Sequence, residues 1–419
     1  MRTNSKRSGD DAVSIELGVS RRRLLKQMAA LGMTGGVTGL AGCSSLRSDE
    51  TETSVSTAAN RQTTENDDGT GGSSSGTNAS LPEFQRVPLT PPPTADEIDF
   101  TAPRNPERKV AFVTHNGTNQ VFQPAIAMMN DAMNKFGWTG EFVGPTGNNQ
   151  SKQVEIMNTK VSTLSKGDVM ATTVLDANSY LGPIKNAVEK GIAVVQWNTT
   201  VSEWGYDTMM NEFGYPLPYV GQQHFPAGNA TGITAYEKAE EHLEDDDYVV
   251  LPTTGVPGHP ALKARNDGIR NALRRYDNVE VLDLLDVSTD VSKAINRVDS
   301  KYRSNPEINV IIGSGFWGPT AGGRLVENEN MSRSDMIVGG FDYVSDVLNG
   351  IKQGTITFTI GQNYPAQGFV PLSLAYRWLD RGEPMRDFIT GTEIVDESNV
   401  DFALKRATGY PKLTDYYRS

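Results

Sequence analysis

Cysteine is almost absent from this chain. Among its 419 residues only Cys43 carries a thiol, which excludes a disulfide framework and a cluster of thiolate metal ligands. Histidine is scarce as well. The four histidines, at positions 115, 224, 242 and 259, lack the spacing of metal ligands, and we interpret them as structural or solvent-exposed. Long apolar runs are also missing, because the apolar stretch at residues 28–40 is glycine-rich and far shorter than the roughly 20 residues that span a bilayer.

Basic residues are fewer than acidic residues in this chain. Lys and Arg number 39 against 51 Asp and Glu, and after the first 42 positions the chain has 32 basic and 48 acidic residues, a net charge of −16. A surface of this sign repels the phosphates of nucleic acid, so we expect no nucleic-acid partner. It is also typical of proteins that stay soluble where salt screens charge strongly. Halophily is therefore a hypothesis for this protein.

Export signals occur in order near the N-terminus. Ser20–Lys26 contains three consecutive arginines and has the form of a twin-arginine signal. Leu40-Ala41-Gly42-Cys43 resembles the lipobox of secreted lipoproteins, whose cysteine is lipidated and becomes the mature N-terminus. We therefore expect residues 1–42 to be a signal peptide and Cys43 to carry a lipid anchor at the cell surface. Residues 43–107, rich in Ser, Thr and Pro, are expected to form a disordered tether.

From Lys109 onward, short apolar runs alternate with helical patterns. The first series has four strand and helix units and ends at Asn198, and residues 199–218 break the rhythm with Pro, Gly and aromatic residues. A second series of the same kind begins at Tyr219. Such alternation predicts parallel sheets covered by helices on both faces. Two series of similar length indicate two α/β lobes, and the cleft between two lobes is a favoured place for a ligand.

Polar side chains recur where the predicted strands end, which is where open α/β sheets bind ligands. These polar residues are Asn116, Asn119, Asn198, Arg265, Asp342 and Gln362, and the aromatic residues Phe122, Trp197, Phe316 and Trp317 stand near them. Planar amides, a carboxylate and a guanidinium suit adjacent hydroxyl groups, and aromatic faces cover the apolar face of a sugar-like ring. Any one of these residues alone is equally typical of a turn or a cap. Their recurrence at one edge indicates a site for a neutral polyhydroxylated molecule.

A glycine motif raises a different hypothesis. Gly313–Gly318 matches G-x-G-x-x-G between a predicted strand and a predicted helix, so a dinucleotide site has to be considered. Phe316 and Trp317 are bulky where a pyrophosphate would approach, the motif comes late in the series, and the chain is acidic. These features argue against an NAD-dependent dehydrogenase. No catalytic triad or carboxylate pair can be assigned from spacing.

Several segments resemble one family in detail. Gly255–Ile269 is similar to its G-x-P-G…R-x-x-G-F motif, Val338–Asp342 to its V-G-F-D motif, and Thr359–Gly368 to its T-I-x-Q-x-P-x-x-x-G motif. Gly391–Val395 resembles the family's closing strand. Over roughly residues 108–405 the chain thus resembles the ribose-type periplasmic binding proteins, which are the sugar-binding subunits of ABC importers.

This resemblance implies a fold and a domain division. The expected fold is that of a type I periplasmic binding protein: two Rossmann-like α/β lobes with parallel sheets, joined by a multi-strand hinge. The first lobe would comprise residues 108–218 and 363–391, and the second lobe residues 219–362 and 392–419. By the same resemblance the protein is expected to bind a ligand without catalysis and without a cofactor.

The motifs also differ from the family in ways that bear on the ligand. Many members end the fourth strand with an aspartate, whereas this chain has Asn198, and the usual pair of aromatic residues after the first strand is reduced to Phe122. Gly144-Pro145-Thr146, followed by Gln150 and Gln153, is closer to the rhamnose and autoinducer-2 binding branch. Ribose itself is therefore not the expected ligand.

The sequence predicts a lipid-anchored, extracytoplasmic, monomeric solute-binding protein. It would capture a monosaccharide or a sugar-like molecule and deliver it to an ABC permease and its ATPase, touching the membrane through its lipid alone. The resemblance implies that Arg265 reaches the sugar, that Asp342 accepts its hydroxyls, and that Gln362 lies at both pocket and hinge. The full set of expected ligand-binding residues is Asn116, Asn119, Phe122, Trp197, Asn198, Arg265, Ser314, Trp317, Asp342 and Gln362. The alternative function is a receptor that senses such a sugar for a signalling partner.

Overall fold

The computed structural model describes residues 107–200, residue 211 and residues 217–408. The predicted signal peptide, Cys43 and the predicted tether before residue 107 lie outside the described residues. Within the described part, no helix combines the length and the apolar character that a bilayer span requires.

Strands and helices alternate along the described residues. The strands are β1 (Lys109–Val113), β2 (Thr139–Val143), β3 (Val169–Thr172), β4 (Ala193–Trp197), β5 (Tyr219–Gly221), β6 (Tyr248–Thr254), β7 (Val279–Val281), β8 (Leu285–Asp286), β9 (Val310–Gly313), β10 (Ile337–Phe341), β11 (Phe358–Gly361), β12 (Phe388–Ile389) and β13 (Glu393–Asp396). The helices are α1 (Gln123–Phe136), preceded by a 3-10 turn (Gln120–Phe122), α2 (Gln150–Thr163), α3 (Ala177–Glu189), α4 (His224–His242), α5 (Pro260–Leu273), α6 (Val291–Ser304), α7 (Trp317–Asn328), α8 (Ser345–Gln353), α9 (Tyr364–Arg381) and α10 (Val400–Thr408).

Six parallel strands form the first sheet, in the order β12-β5-β4-β3-β1-β2. Its central strands β3 and β4 are buried along their whole length, as expected of parallel strands covered on both faces. Side chains alternate between the faces of β1. Val110 and Phe112 belong to a core cluster with α1 and α9, whereas Ala111 and Val113 belong to one with α2 and α3.

The second sheet has the order β13-β11-β10-β9-β6-β7, and β8 pairs with the far end of β6. Its paired strands are parallel except β13, which runs antiparallel to β11. Helices α4 and α5 share a core cluster on one face, and buried residues of α6, α7, α8 and α10 share a cluster on the other. The chain thus forms two lobes, each with a sheet between layers of helices.

The chain passes between the lobes three times: from β5 to α4, from β11 to α9, and from β12 to β13. Hydrogen bonds hold these crossings together. Gln222 Nε2 donates to the carbonyl oxygens of Gly361 at 3.2 Å and Gly391 at 3.1 Å. The backbone N–H of Thr390 donates to the Gly221 carbonyl at 2.9 Å. The predicted fold, two α/β lobes with parallel sheets and a multi-strand hinge, is confirmed.

One domain boundary differs from the prediction. The sequence places residue 219 at the start of the second lobe, but β5 (Tyr219–Gly221) belongs to the first sheet. The reason is its pairing, since Trp197 in β4 faces Val220 and β12 adds to the other side of β5. The first crossing therefore begins at Gln222.

Candidate ligand-binding site

Residues that follow strands of both sheets line one pocket between the lobes. Asn198 follows β4, Asp342 follows β10 and Gln362 follows β11, and all three line this pocket. Asn198 and Asp342 have left-handed backbone conformations, with φ of 59° and 81°. Few residues other than glycine adopt this conformation, and Asn and Asp tolerate it best. The left-handed turn ends each strand sharply and leaves a polar side chain at the pocket.

Asp342 is the centre of a buried hydrogen-bond network. Gln362 Nε2 donates to Asp342 Oδ1 and lies 2.7 Å from the Tyr364 hydroxyl, which itself donates to Asp342 Oδ1 at 3.0 Å. Burial raises the pKa of Asp342 above its ordinary value, while the positive charge of Arg265 and the hydrogen bonds from Gln362 and Tyr364 oppose that rise. Burial also raises the pKa of Tyr364 well above its ordinary value, so its hydroxyl stays protonated.

Arg265 brings the opposite charge from helix α5. Its Nη1 donates to the Ser314 carbonyl at 3.0 Å, its Nη2 reaches Gln222 Oε1 at 3.5 Å, and its guanidinium carbon lies 4.2 Å from the centroid of the Phe341 ring. Burial lowers the pKa of Arg265, and the nearby Asp342 carboxylate raises it. The guanidinium is therefore fixed by protein contacts before any ligand binds.

The charges of the pocket balance. Arg265 and Asp342 carry opposite charges and act on each other. Burial lowers the pKa of His115 to about 4 and that of His259 well below its ordinary value, so both imidazoles are neutral at pH 7. A ligand with net charge would stay uncompensated in such a buried site, which is costly. The pocket therefore favours a neutral ligand.

Three polar atoms in the pocket lining have no protein partner. They are Arg265 Nε, His259 Nδ1 and Gln362 Oε1. A buried polar atom without a hydrogen bond costs about 1–3 kcal/mol. Together they present donor and acceptor capacity to a ligand that carries several hydroxyl groups.

Apolar side chains complete the wall. Phe122 from the first lobe and Trp317 from the second are both buried at the pocket, with Leu262 in α5 and Val256 before it. The pocket encloses about 430 Å³ of space not filled by protein atoms, its solvent-filled mouth included.

Residues 110–384 of this chain match the family model of the periplasmic binding protein domain. The match spans more than half of the chain. The chain belongs to the periplasmic binding protein family. Family membership implies a location outside the cytoplasm.

One curated protein and two solved structures are similar to this chain. The xylose/arabinose-binding protein XylF of Sulfolobus acidocaldarius is 23% identical over 317 residues, which cover 74% of this chain and 76% of that protein. A solute-binding protein of an ABC transporter from Burkholderia graminis, solved with D-arabinose, is 22% identical with a TM-score of 0.61, covering 70% of this chain and 96% of that one. One from Actinobacillus succinogenes, solved with D-allose, is 16% identical with a TM-score of 0.63, covering 70% and 99%. These relatives are binding proteins, which agrees with the prediction that the chain is not an enzyme.

Seven of the ten residues predicted for this binding protein line the pocket together. From the first lobe they are Asn119, Phe122 and Asn198, from the second lobe Arg265, Trp317 and Asp342, and from the second crossing Gln362. Asn119 Oδ1 accepts from the Val121 N–H at 3.2 Å, and Asn198 Nδ2 donates to Gln367 Oε1 at 2.9 Å. These bonds fix both amides, so the site is held in place by the protein.

The other three predicted residues stand behind the wall. Asn116 Nδ2 donates to Asn148 Oδ1 at 3.4 Å. Asn116 Oδ1 accepts from the backbone N–H of Thr118 and so stabilises the turn there. Trp197 is fully buried and donates from Nε1 to the Val113 carbonyl at 2.9 Å. Ser314 is buried and presents its carbonyl to Arg265. Because the protein uses their polar groups, these residues support the pocket and do not reach into it.

Histidines and one tyrosine of the pocket were not predicted. His115 and His259 are 5% and 7% exposed and line the pocket, and His224 is half-buried, with its Nε2 3.1 Å from the Asn198 carbonyl oxygen. The interpretation of the histidines as structural or solvent-exposed must be corrected for His115 and His259, because both line the pocket. A signal was present, since His115 lies two residues after the end of β1 and Tyr364 begins the helix after Gln362.

The glycine motif has a packing role in this binding protein. Gly313 ends β9 and helix α7 begins at Trp317, which is the expected strand-to-helix context. A Cβ at Gly315 would lie 2.7 Å from the Trp317 ring, and one at Gly255 would lie 2.4 Å from it. The glycines thus make room for an indole where a dinucleotide would need open backbone, which argues against the dehydrogenase hypothesis.

Proposed function

We propose that this protein is the extracytoplasmic sugar-binding subunit of an ABC importer. The observation that carries the proposal is the charge-balanced pocket between two hinged lobes, with Asp342, Gln362 and Arg265 on one side of it and Phe122 and Trp317 as apolar cover. The printed names of the relatives support it, since XylF is a xylose/arabinose-binding protein and solved neighbours hold D-arabinose or D-allose.

The ligand is a neutral monosaccharide or a similar polyol. Asp342 accepts hydrogen bonds from hydroxyl groups of the sugar. Charge-assisted hydrogen bonds of this kind are about twice as strong as those between neutral groups. Arg265 Nε donates to a ring or hydroxyl oxygen, and Gln362 Oε1 accepts, because neither atom has a protein partner. Phe122 and Trp317 cover the apolar faces of the sugar ring.

Capture proceeds by hinge closure. The ligand contacts residues of both lobes at once, so it stabilises the closed arrangement over the open one by its difference in affinity for the two. The three crossings provide the axis of movement. The closed protein then presents the sugar to a permease and its ATPase, and no covalent chemistry is needed.

The N-terminal signals complete the proposal. The protein is exported by the twin-arginine route, loses residues 1–42 and is anchored by lipid on Cys43, with residues 43–107 as a tether. It acts as a monomer, and its acidic surface keeps it soluble in high salt.

A thermal-shift screen of the full-length chain tests the proposal. The panel comprises D-xylose, D-arabinose, D-allose, L-rhamnose, a nucleoside and NAD, each in high salt. A ligand that binds only the folded state adds about 2.7 kcal/mol at a hundredfold excess over Kd. We expect a rise in Tm with one or a few sugars. A rise with NAD or the nucleoside alone, or with none of the panel, would contradict the proposal.

A further inference from the structure

Two histidines from opposite lobes meet in the wall of the pocket. His115 follows β1 in the first lobe, and His259 directly precedes α5 in the second. Their ring centroids are 4.9 Å apart with 62° between the ring planes. Since the two rings are carried by different lobes, this contact exists only while the lobes are together.

Contacts within the first lobe hold the ring of His115, and a backbone hydrogen bond within the second lobe holds His259. His115 Nδ1 lies 3.2 Å from Thr173 Oγ1 at the end of β3, and the ring meets Phe122 edge-on with centroids 5.6 Å apart. The backbone N–H of His259 donates to the Val256 carbonyl at 3.1 Å, and its Nδ1 has no protein partner. Hinge movement therefore separates the pair without rearranging either lobe.

The groups that face this pair are mostly cationic or neutral. Positive charge on His115, His224 or Arg265 lowers the pKa of His259. The carboxylate of Asp342 and the guanidinium of Arg265 act on each other by charge. The hydroxyls of Tyr219 and Tyr364, which also act on Arg265, are protonated because burial raises both of their pKa values. No carboxylate is hydrogen-bonded or ion-paired to either imidazole in the part of the chain that the structure describes.

We propose that His115 and His259 form a neutral imidazole pair that clasps the lobes over a neutral ligand and opens when either ring is protonated. This inference rests on the proposed function. A cation on either ring would sit against the other imidazole and near Arg265, so closure of the lobes disfavours protonation of the pair.

The direction of the pH dependence follows from the histidines. In the closed pocket the pKa of His115 is lowered to about 4, and that of His259 lies well below its ordinary value, chiefly through burial. Rings that reach water in the open form titrate near 6.5. The open form therefore binds more protons between about pH 4 and pH 6.5, and acid favours opening. For one histidine with these two pKa values, affinity falls about 30-fold between pH 7.5 and pH 5.0.

Asp342 cannot account for such a loss. Burial raises its pKa above the ordinary value in the closed pocket. A carboxyl group whose pKa is raised on closure binds more protons in the closed form, so acid would strengthen closure. The sign of the pH effect thus separates the histidine pair from the carboxylate.

Calorimetric titration of the full-length chain tests the inference. D-xylose, D-arabinose and D-allose are titrated at pH 7.5, 6.5, 5.5 and 5.0, and a thermal melt at each pH verifies that the protein is folded. The variants are H115Q and H259Q, whose amides do not titrate, and H242Q serves as the matched control because His242 ends helix α4 outside the pocket lining.

We expect wild-type affinity to fall at least about 30-fold from pH 7.5 to pH 5.0, H242Q to follow the wild type, H115Q to recover about 30-fold of the loss, and H259Q to lose less affinity than the wild type. Equal wild-type affinity at all pH values would overturn the inference. So would a loss of affinity at pH 5.0 in H115Q and H259Q that is as large as the loss in the wild type. The absence of sugar binding at pH 7.5 would instead refute the proposed function itself, and this inference with it.

Discussion

Replacing Asp342 with Asn removes the one carboxylate of the pocket lining while keeping the side-chain shape. The choice of Asn matters because residue 342 has φ of 81°. Asn adopts the left-handed region with little cost, whereas Ala at this position would add backbone strain to any effect on the ligand. D342N therefore isolates the charge.

Two effects of D342N weaken sugar binding. A hydrogen bond to a charged group contributes about 1.5–3 kcal/mol, more than one between neutral groups. Arg265, whose pKa the Asp342 carboxylate raises by its charge, also loses this counter-charge while remaining buried. Because the amide oxygen of Asn still accepts, the first effect is the difference between a charged and a neutral hydrogen bond, about 1–1.5 kcal/mol, or an increase in Kd of roughly 5- to 13-fold.

Calorimetry at pH 7.5 measures this change, and D346N is the matched control. Asp346 is an exposed acid in the first turn of α8, four residues further along the chain, so D346N removes the same charge without touching the pocket. We expect D346N to bind as the wild type does. Equal affinities for D342N and D346N would refute the assignment of Asp342 to the ligand.

Three further changes probe the wall, the first lobe and the hinge. Gly255→Ala places a Cβ 2.4 Å from the Trp317 ring, so we expect displacement of the indole and a loss of about 1–3 kcal/mol in sugar binding by calorimetry, and unchanged affinity would count against Trp317 as cover. Arg108→Ala leaves Asp380 buried without the ion pair of 2.6 Å, so urea unfolding should show a loss of about 3–5 kcal/mol while the folded protein binds sugar normally; a stability equal to the wild type would contradict this. Gln222→Ala removes the amide that joins the three crossings, and small-angle scattering with saturating sugar should show less closure, whereas a wild-type profile would exclude this role.

Much of the fold follows from local pattern. The alternation of apolar runs and helical segments predicts the parallel sheets, and the left-handed Gly354 ends α8 where the pattern ends. The place of strand β5 cannot be predicted from local pattern because the strand is only three residues long. Its place in the first sheet depends on pairing with β4 and β12, and β12 comes from a segment more than 160 residues away in the sequence.

The site is predictable where a strand end fixes the position of a side chain. Asn198, Asp342 and Gln362 each follow a strand, and the topology brings them together. Trp197 was misplaced because it is the last residue inside its strand, where it packs under Phe122 with ring centroids 5.1 Å apart. The histidine pair was not predicted because neither residue belongs to a local sequence motif. The two rings come into contact only when the two lobes approach each other.

A crystal structure of the protein with the sugar that gives the largest thermal shift tests the central claim most directly. We predict one sugar molecule between the lobes, with hydroxyl groups within hydrogen-bond distance of Asp342, Arg265 and Gln362 and with Phe122 and Trp317 against its ring. A sugar bound elsewhere on the surface, or a pocket between the lobes that stays without sugar at saturating concentration, would contradict the account.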